Sequence, residues 1–436
     1  MQNSEAVNGL ADSALHSDSA PSEKSVAQVK QPTYAASFRC IGSNCEDPCC
    51  GDWDIPLDKN TYRSYQLFPL EKLGATVSRF VVVNSPAQPE QLYASIHRTQ
   101  SGSCPFFGPD HLCGIQKEYG SHFLSSTCSI YPRSLSVVFG TLEGSLSLSC
   151  PEAARNVLLI PDFMQREEDL FSGDFRTDNF YHLAGDRQGS ITKPKKIFLA
   201  VRKMLIDVVR DRSCPLWYRL LRVGELCQDL DALAVTGEAN VSLANLEKSR
   251  QLSSTELDEM PSNPRLRIEV VFGLTDALVR SGSSVRFQDT FWNFVEGIGA
   301  PAGSLLGDDV ERFLLAEQTY YRTFFNAAPY ILENYLINYM LQNLFPYGRE
   351  GSARFVPQSI FSEYLQMATQ FAWVNALLIG ISGHYQSSFA EEHVVQTIQS
   401  FTRNVEHDPH IRDSMNEYMR NRALNNLKGM AIMLKG

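Results

Sequence analysis

The period of the apolar positions changes near residue 195. From there, Ile197, Phe198, Val201, Met204, Leu205, Val208 and Val209 recur at intervals that place them on one face of a helix beginning after Pro194. A second helix is predicted after Ser213-Cys214-Pro215, because Leu216, Leu220, Val223, Cys227 and Leu230 repeat at intervals of four and three. That stripe assigns Cys227 to the core as a small hydrophobe. Cys214 sits at a helix start, an electropositive position that can lower a thiol pKa. Residues 235–262 read as a polar loop. Glu311 to Leu344 reads as helix broken at Pro329, and further helices are predicted near 356–382, 389–405 and 411–433.

The first part of the chain reads differently. Residues 1–31 are rich in Ser, Ala, Asn and Asp without apolar periodicity, so a disordered tail is expected there. Residues 32–160 carry frequent Gly and Pro and short strand-like runs such as Arg79–Val83, and Ser136 to Cys150 reads as a hairpin around a Gly-containing turn. The expected fold class is therefore α+β, with a loop-rich, cysteine-rich domain at 32–160 followed by a mainly α-helical domain at 161–436. No internal repeat is visible. The helical part is rich in aromatics, with Tyr320, Tyr321, Phe324, Phe325, Tyr330, Tyr335 and Tyr339 close together. Aromatics at this spacing ordinarily build core, and lining a substrate channel is their functional alternative.

Charge narrows the partners. The 436 residues include 39 Lys and Arg against 49 Asp and Glu, a net charge of -10, so the basic footprint of a nucleic-acid or anionic-membrane binder is missing. The N-terminus has no basic start followed by an apolar stretch, and the most apolar later run, Phe371 to Gly383, is too short to span a bilayer. The expectation is a cytoplasmic protein that binds neither nucleic acid nor membrane.

In that compartment thiols stay reduced, and clustered ones bind metal or do chemistry more often than they form disulfides. The chain has ten cysteines. Cys40, Cys45, Cys49 and Cys50 crowd one short segment, and Cys104, Cys113, Cys128 and Cys150 follow. Turns at Gly42, Pro48 and Gly51 let such a segment fold around an ion. Soft sulfur donors select zinc, copper(I) or an iron-sulfur cluster, and four thiolates satisfy structural zinc and a [4Fe-4S] cluster alike. Neighbouring side chains diverge, so one of Cys49 and Cys50 is expected to face elsewhere. His97, His111 and His122 are candidate additional ligands, although single histidines in polar loops are ordinarily solvated. Asp52, Asp54, Tyr131 and Glu152 stand beside cysteines and are candidate bases, each with a surface or capping role as the more ordinary reading. Trp53 is a candidate cation-π partner for a sulfonium or ammonium, with core packing as its ordinary role.

The segment QPTYAASFRCIGSNCEDPCCGDWDIPLDKNTYRSY resembles the N-terminal signature of flagellin lysine N-methylases of the FliB type. CPFFGPDHLCGIQKEYG and TCSIYPR are similar to zinc- or iron-chelating cysteine-cluster regions, and PYILENYLINYMLQNLFPYG is similar to the same methylases. The resemblance runs from about Gln31 to the end. It implies methyl transfer from S-adenosylmethionine to flagellin lysines and a [4Fe-4S] cluster held by some of the eight cysteines Cys40, Cys45, Cys49, Cys50, Cys104, Cys113, Cys128 and Cys150. The sequence has neither a glycine-rich strand–helix loop for S-adenosylmethionine nor the CxxxCxxC spacing of common radical enzymes using that donor. The alternative reading is a non-enzymatic zinc-binding adaptor whose helical half holds a partner helix. An iron-sulfur redox enzyme acting on another substrate is a third.

Overall fold

A tight turn at Phe139-Gly140, both at positive φ (48° and 80°), joins β5 (Arg133–Val138) to β6 (Thr141–Leu146) in the predicted hairpin. The computed structural model describes residues 26–51, 53–85, 88–161, 163, 169–174, 181–183, 197–236, 254–300, 308–350, 359–406 and 409–435. The other strands are β1 (Val26–Gln31), β2 (Ile55–Leu57), β3 (Val81–Val83), β4 (Ala94–Ile96), β7 (Asp169–Asp174), β8 (Tyr181–Leu183) and β9 (Arg349–Glu350). They form a mixed six-stranded sheet ordered β7-β1-β6-β5-β8-β9 and a three-stranded sheet ordered β2-β4-β3. In the larger sheet β1 runs parallel to β6 and β5 parallel to β8.

The helices of eight residues or more are α1 (Pro151–Leu158), α2 (Phe198–Arg210), α3 (Leu216–Thr236), α4 (Pro264–Arg280), α5 (Val285–Gly297), α6 (Asp309–Ala316), α7 (Tyr330–Gln342), α8 (Ile360–Tyr385), α9 (Glu391–Val405), α10 (Pro409–Asn421) and α11 (Leu427–Leu434). The architecture is α+β, as expected. α8 is buried around most of its circumference, with Trp373, Phe371 and Tyr364 almost fully enclosed, which its apolar sequence on all faces requires. Close approach of α5 to α8 depends on glycine: a β-carbon on Gly297 would lie 1.8 Å from the Gly380 carbonyl oxygen. Among the described residues, no helix is long and apolar enough to cross a membrane.

Several sequence expectations shift. The last six residues of the expected tail are β1, whose Val29 is buried; residues 1–25 lie outside the described residues. Only Val81–Val83 of the run 79–83 is strand, because Arg79 and Phe80 end a short helix. The terminal helix expected at 411–433 is two, α10 and α11, divided at Ala423 (φ 54°) and restarted by Asn426, whose side chain accepts from the Gly429 N–H at 2.9 Å. Most of the loop expected at 235–262 lies outside the described residues, although Ser254–Glu259 is helical. Residue 160 is no boundary in packing: Tyr34, Val138, Leu146 and the apolar face of α1 share one core with α2 to α11. A smaller core of Ile55, Leu57, Tyr65, Phe68, Phe106, Ile115 and Phe123 supports the three-stranded sheet and the cysteine loops.

Candidate metal centre and adjoining cavity

The cysteine loop is held from the far end of the chain. Gln399 and Arg403, one turn apart on α9, both reach Asp47. Gln399 Nε2 donates to Asp47 Oδ2 at 2.7 Å and to the Ser149 carbonyl at 2.9 Å, while its Oε1 accepts from Arg286 Nε at 2.8 Å. Arg403 pairs with Asp47 Oδ1 at 3.0 Å and donates to the carbonyls of Asp47, Pro48 and Gly51 at 3.1 to 3.3 Å. Its guanidinium also lies 5.4 Å from the Trp53 ring centre. Three carbonyls of the loop are thus tied to one cation, which the rigid fork of arginine makes possible. Glu46 adds ion pairs to Arg155 of α1 and, at 3.8 Å, to Arg286.

The remaining cysteines meet this loop through the backbone. The Cys104 N–H donates to the Cys50 carbonyl at 2.7 Å, and Gly51 bridges Ser103. Cys113 bridges Phe107 and opens a short helix, Cys128 lies in a helical turn capped by Ser125, and Cys150 precedes Pro151 at the start of α1. Electrostatic influence connects all eight: Cys45 with Cys40 and Cys49, Cys150 with Cys45 and Cys49, Cys50 with Cys104 and Cys128, and Cys113 with Cys49. No disulfide joins any of the ten cysteines.

Burial, aided by neighbouring thiols, pushes Cys104 up to about 11 and Cys128 and Cys150 up to about 12, although the edge of Cys128 reaches solvent. Cys50 is also raised, because it donates its hydrogen bond to Cys49; Cys49 is lowered by that bond, with Arg403 assisting. Such thiols stay protonated unless a cation compensates the charge they would carry. The donor set therefore suits a soft metal centre in its chemistry. Among the described residues, no three donors of the His, Cys, Asp and Glu type converge closely enough to hold an ion as they stand.

The non-cysteine candidates are mostly engaged elsewhere. Asp54 is at the surface, paired with His97 Nδ1 at 3.0 Å and Arg98 Nε at 3.4 Å. Glu152, in the first turn of α1, makes an ion pair with Arg155 at 3.0 Å. Asp52 lies outside the described residues. His111 packs against Phe107 and His122 against Phe123. The Trp53 face that was a candidate for a ligand cation is taken by Arg403, and its edge meets Tyr131 at 5.5 Å. Tyr131 does stand in the thiol neighbourhood, its hydroxyl 3.0 Å from Ser149 Oγ, but burial first and Cys150 next raise its pKa. A phenol so held keeps its proton and is no general base at neutral pH. Cys227 is buried as expected. Cys214, whose role the sequence left open, has its thiol raised by burial, and its Sγ points to the Asp211 carbonyl.

Beside this neighbourhood is a small cavity of about 30 Å³, partly open to solvent. Thr402 of α9 and Glu406, just past its end, line it together with Tyr335, Asn338 and Tyr339 of α7. Glu406 accepts from Ser147 Oγ at 3.0 Å and from Gln342 Nε2, and Ser147 Oγ meets Ser149 Oγ at 2.7 Å. A polar chain thus runs from the cavity to Tyr131 among the thiols. Of the seven aromatics considered for a channel, Tyr335 and Tyr339 line this cavity, while Tyr321, Phe324 and Phe325 pack against one another.

The FliB lysine N-methylase C-terminal domain matches residues 202–433, more than half of the chain. The chain belongs to the FliB lysine N-methylase family. A lysine-N-methylase of Salmonella typhimurium strain LT2 is 33% identical over 144 residues, 32% of this chain and 35% of that protein. The lysine-N-methylase of Salmonella choleraesuis strain SC-B67 gives the same values. The flagellar biosynthetic protein FliU of Salmonella muenchen is 35% identical over 141 residues, covering 31% of this chain and 80% of FliU. The chain spans about a third of the length of the two lysine-N-methylases. No solved structure matches. The FliB-family domain begins within α2 and contains α9, so the arginine that grips the cysteine loop is part of it.

Proposed function

We propose that this chain is a protein-lysine N-methyltransferase that modifies flagellin lysines with S-adenosylmethionine and depends on an iron-sulfur cluster ligated by its N-terminal cysteines. Family membership supports the lysine methylase activity, and the flagellar name of one relative supports the substrate. The observation that carries the reading is the Arg403 clamp, which fastens the thiol-rich loop to a helix of the methylase-family domain. In the reaction, the neutral lysine amine forms an N–CH3 bond as the S–CH3 bond breaks, the sulfur keeps the electron pair in S-adenosylhomocysteine, and the amine proton goes to solvent. An ammonium of pKa about 10.4 must first lose a proton, which a desolvating site favours. The cluster's donors would come from the eight cysteines between Cys40 and Cys150, and such a cluster supplies either a structural anchor or an open iron for a polar ligand.

The test is incubation of anaerobically purified protein with S-adenosylmethionine and unmodified flagellin, followed by peptide mass spectrometry. The reading expects methyl additions on lysines that require both protein and donor. Unmodified flagellin under these conditions would overturn it.

A further inference from the structure

Within the cavity between α7 and α9, Tyr339 is nine-tenths buried, yet its hydroxyl has no hydrogen-bond partner among the described residues. A buried hydroxyl left unpaired costs roughly 1–3 kcal/mol, so this one marks a place for a polar ligand. The lining combines opposite charges, the Glu406 carboxylate with the Arg349 and Arg412 guanidinium groups, and also holds Tyr335. Arg412, Glu363, Arg349 and Glu406 all act electrostatically on the Tyr339 hydroxyl, two cations and two carboxylates around one small volume. A purely anionic or purely cationic ligand would meet repulsion from part of this wall. A zwitterion would not, because its carboxylate and ammonium can each face a complementary charge.

We infer that this cavity binds the zwitterionic α-amino-acid end of the methyl donor, with Arg349 and Arg412 toward the carboxylate, Glu406 toward the ammonium and the Tyr339 hydroxyl donating to the carboxylate. The inference rests on the donor being S-adenosylmethionine, as proposed above. It supplies a binding site that needs no glycine-rich strand–helix loop, and it sets the donor beside the thiol neighbourhood through Glu406, Ser147, Ser149 and Tyr131.

The experiment is calorimetric titration of the full-length, anaerobically purified protein with S-adenosylhomocysteine, which carries the same amino-acid end and does not react. Tyr339→Phe removes one hydrogen bond and should weaken binding about tenfold. Glu406→Gln should weaken it by at least as much. Circular dichroism checks folding, and Arg412→Gln, expected to show a comparable loss, replaces either variant that fails to fold. Unchanged affinity in the folded variants would overturn the cavity assignment while leaving the methylase reading intact. Absence of binding to the unaltered protein would overturn both.

Discussion

Arg403 and Asp47, 356 positions apart, form a 3.0 Å ion pair in which the arginine side chain is only 3% exposed. The pair links the helical part of the chain to the cysteine loop, and removing one partner strands a buried charge. Arg403→Met is therefore expected to destabilise the fold by about 3–5 kcal/mol and to free the carbonyls of Asp47, Pro48 and Gly51. Hydrogen exchange followed by mass spectrometry reads the second effect directly, as faster exchange in residues 45–51. Arg403→Lys should rescue only part of it, since one ammonium cannot reproduce the planar fork. Unaltered exchange in Arg403→Met would show that the loop holds itself.

Gly297 and Gly380 allow α5 and α8 to touch backbone to backbone. Gly297→Ala places a methyl group against a carbonyl that cannot move without shifting a helix, so a loss of about 3 kcal/mol is expected, at the upper end of ordinary overpacking. Thermal unfolding tests this, and an unchanged melting temperature would contradict the close approach.

His393 caps the start of α9, its Nδ1 accepting from the Ala390 N–H at 3.0 Å while its ring stacks on Tyr385 with centres 3.6 Å apart. Burial lowers its pKa below the ordinary 6.5, opposed by Glu392 and assisted by His384. With the folded pKa depressed, the unfolded chain takes up the proton more readily. The stabilising contribution is complete above about pH 6.5 and is lost as the pH falls through the folded pKa. A melting curve series should show His393→Gln to be less acid-sensitive than the unaltered protein between roughly pH 7 and 5; parallel curves would contradict the neutral cap.

The helices were legible because their apolar stripes are long and regular, Cys227 included. The hairpin was legible from its Gly-containing turn, but its bounds were not: it spans Arg133–Leu146 rather than Ser136–Cys150, and most of the alternating run Ser145–Ser149 lies beyond β6. The share of β1 in the sheet was not, since its pairing with β6 and β7 depends on residues over a hundred positions away. The cysteines named the neighbourhood, but the groups that organise it are Gln399, Arg403 and Glu406, polar residues on or beside a helix with an apolar period. Their signal was present: Gln399 and Arg403 fall among Val395, Ile398 and Phe401 on the buried side of α9, where an unpaired polar group would be costly. What they reach could be seen only once the chain ends were brought together. The partners of Tyr131 and Trp53, Ser149 and Arg403, are set by the fold, and they decide roles that sequence left open.

The central claim, that the gathered thiols form an iron-sulfur centre on a methylase-family scaffold, is tested most directly by iron, sulfide and zinc analysis of anaerobically purified protein together with its visible spectrum. The account predicts a brown protein with iron and sulfide in comparable amounts and broad absorption near roughly 400 nm, lost when Cys49 and Cys50 are both replaced by Ser. A colourless protein carrying stoichiometric zinc would contradict it.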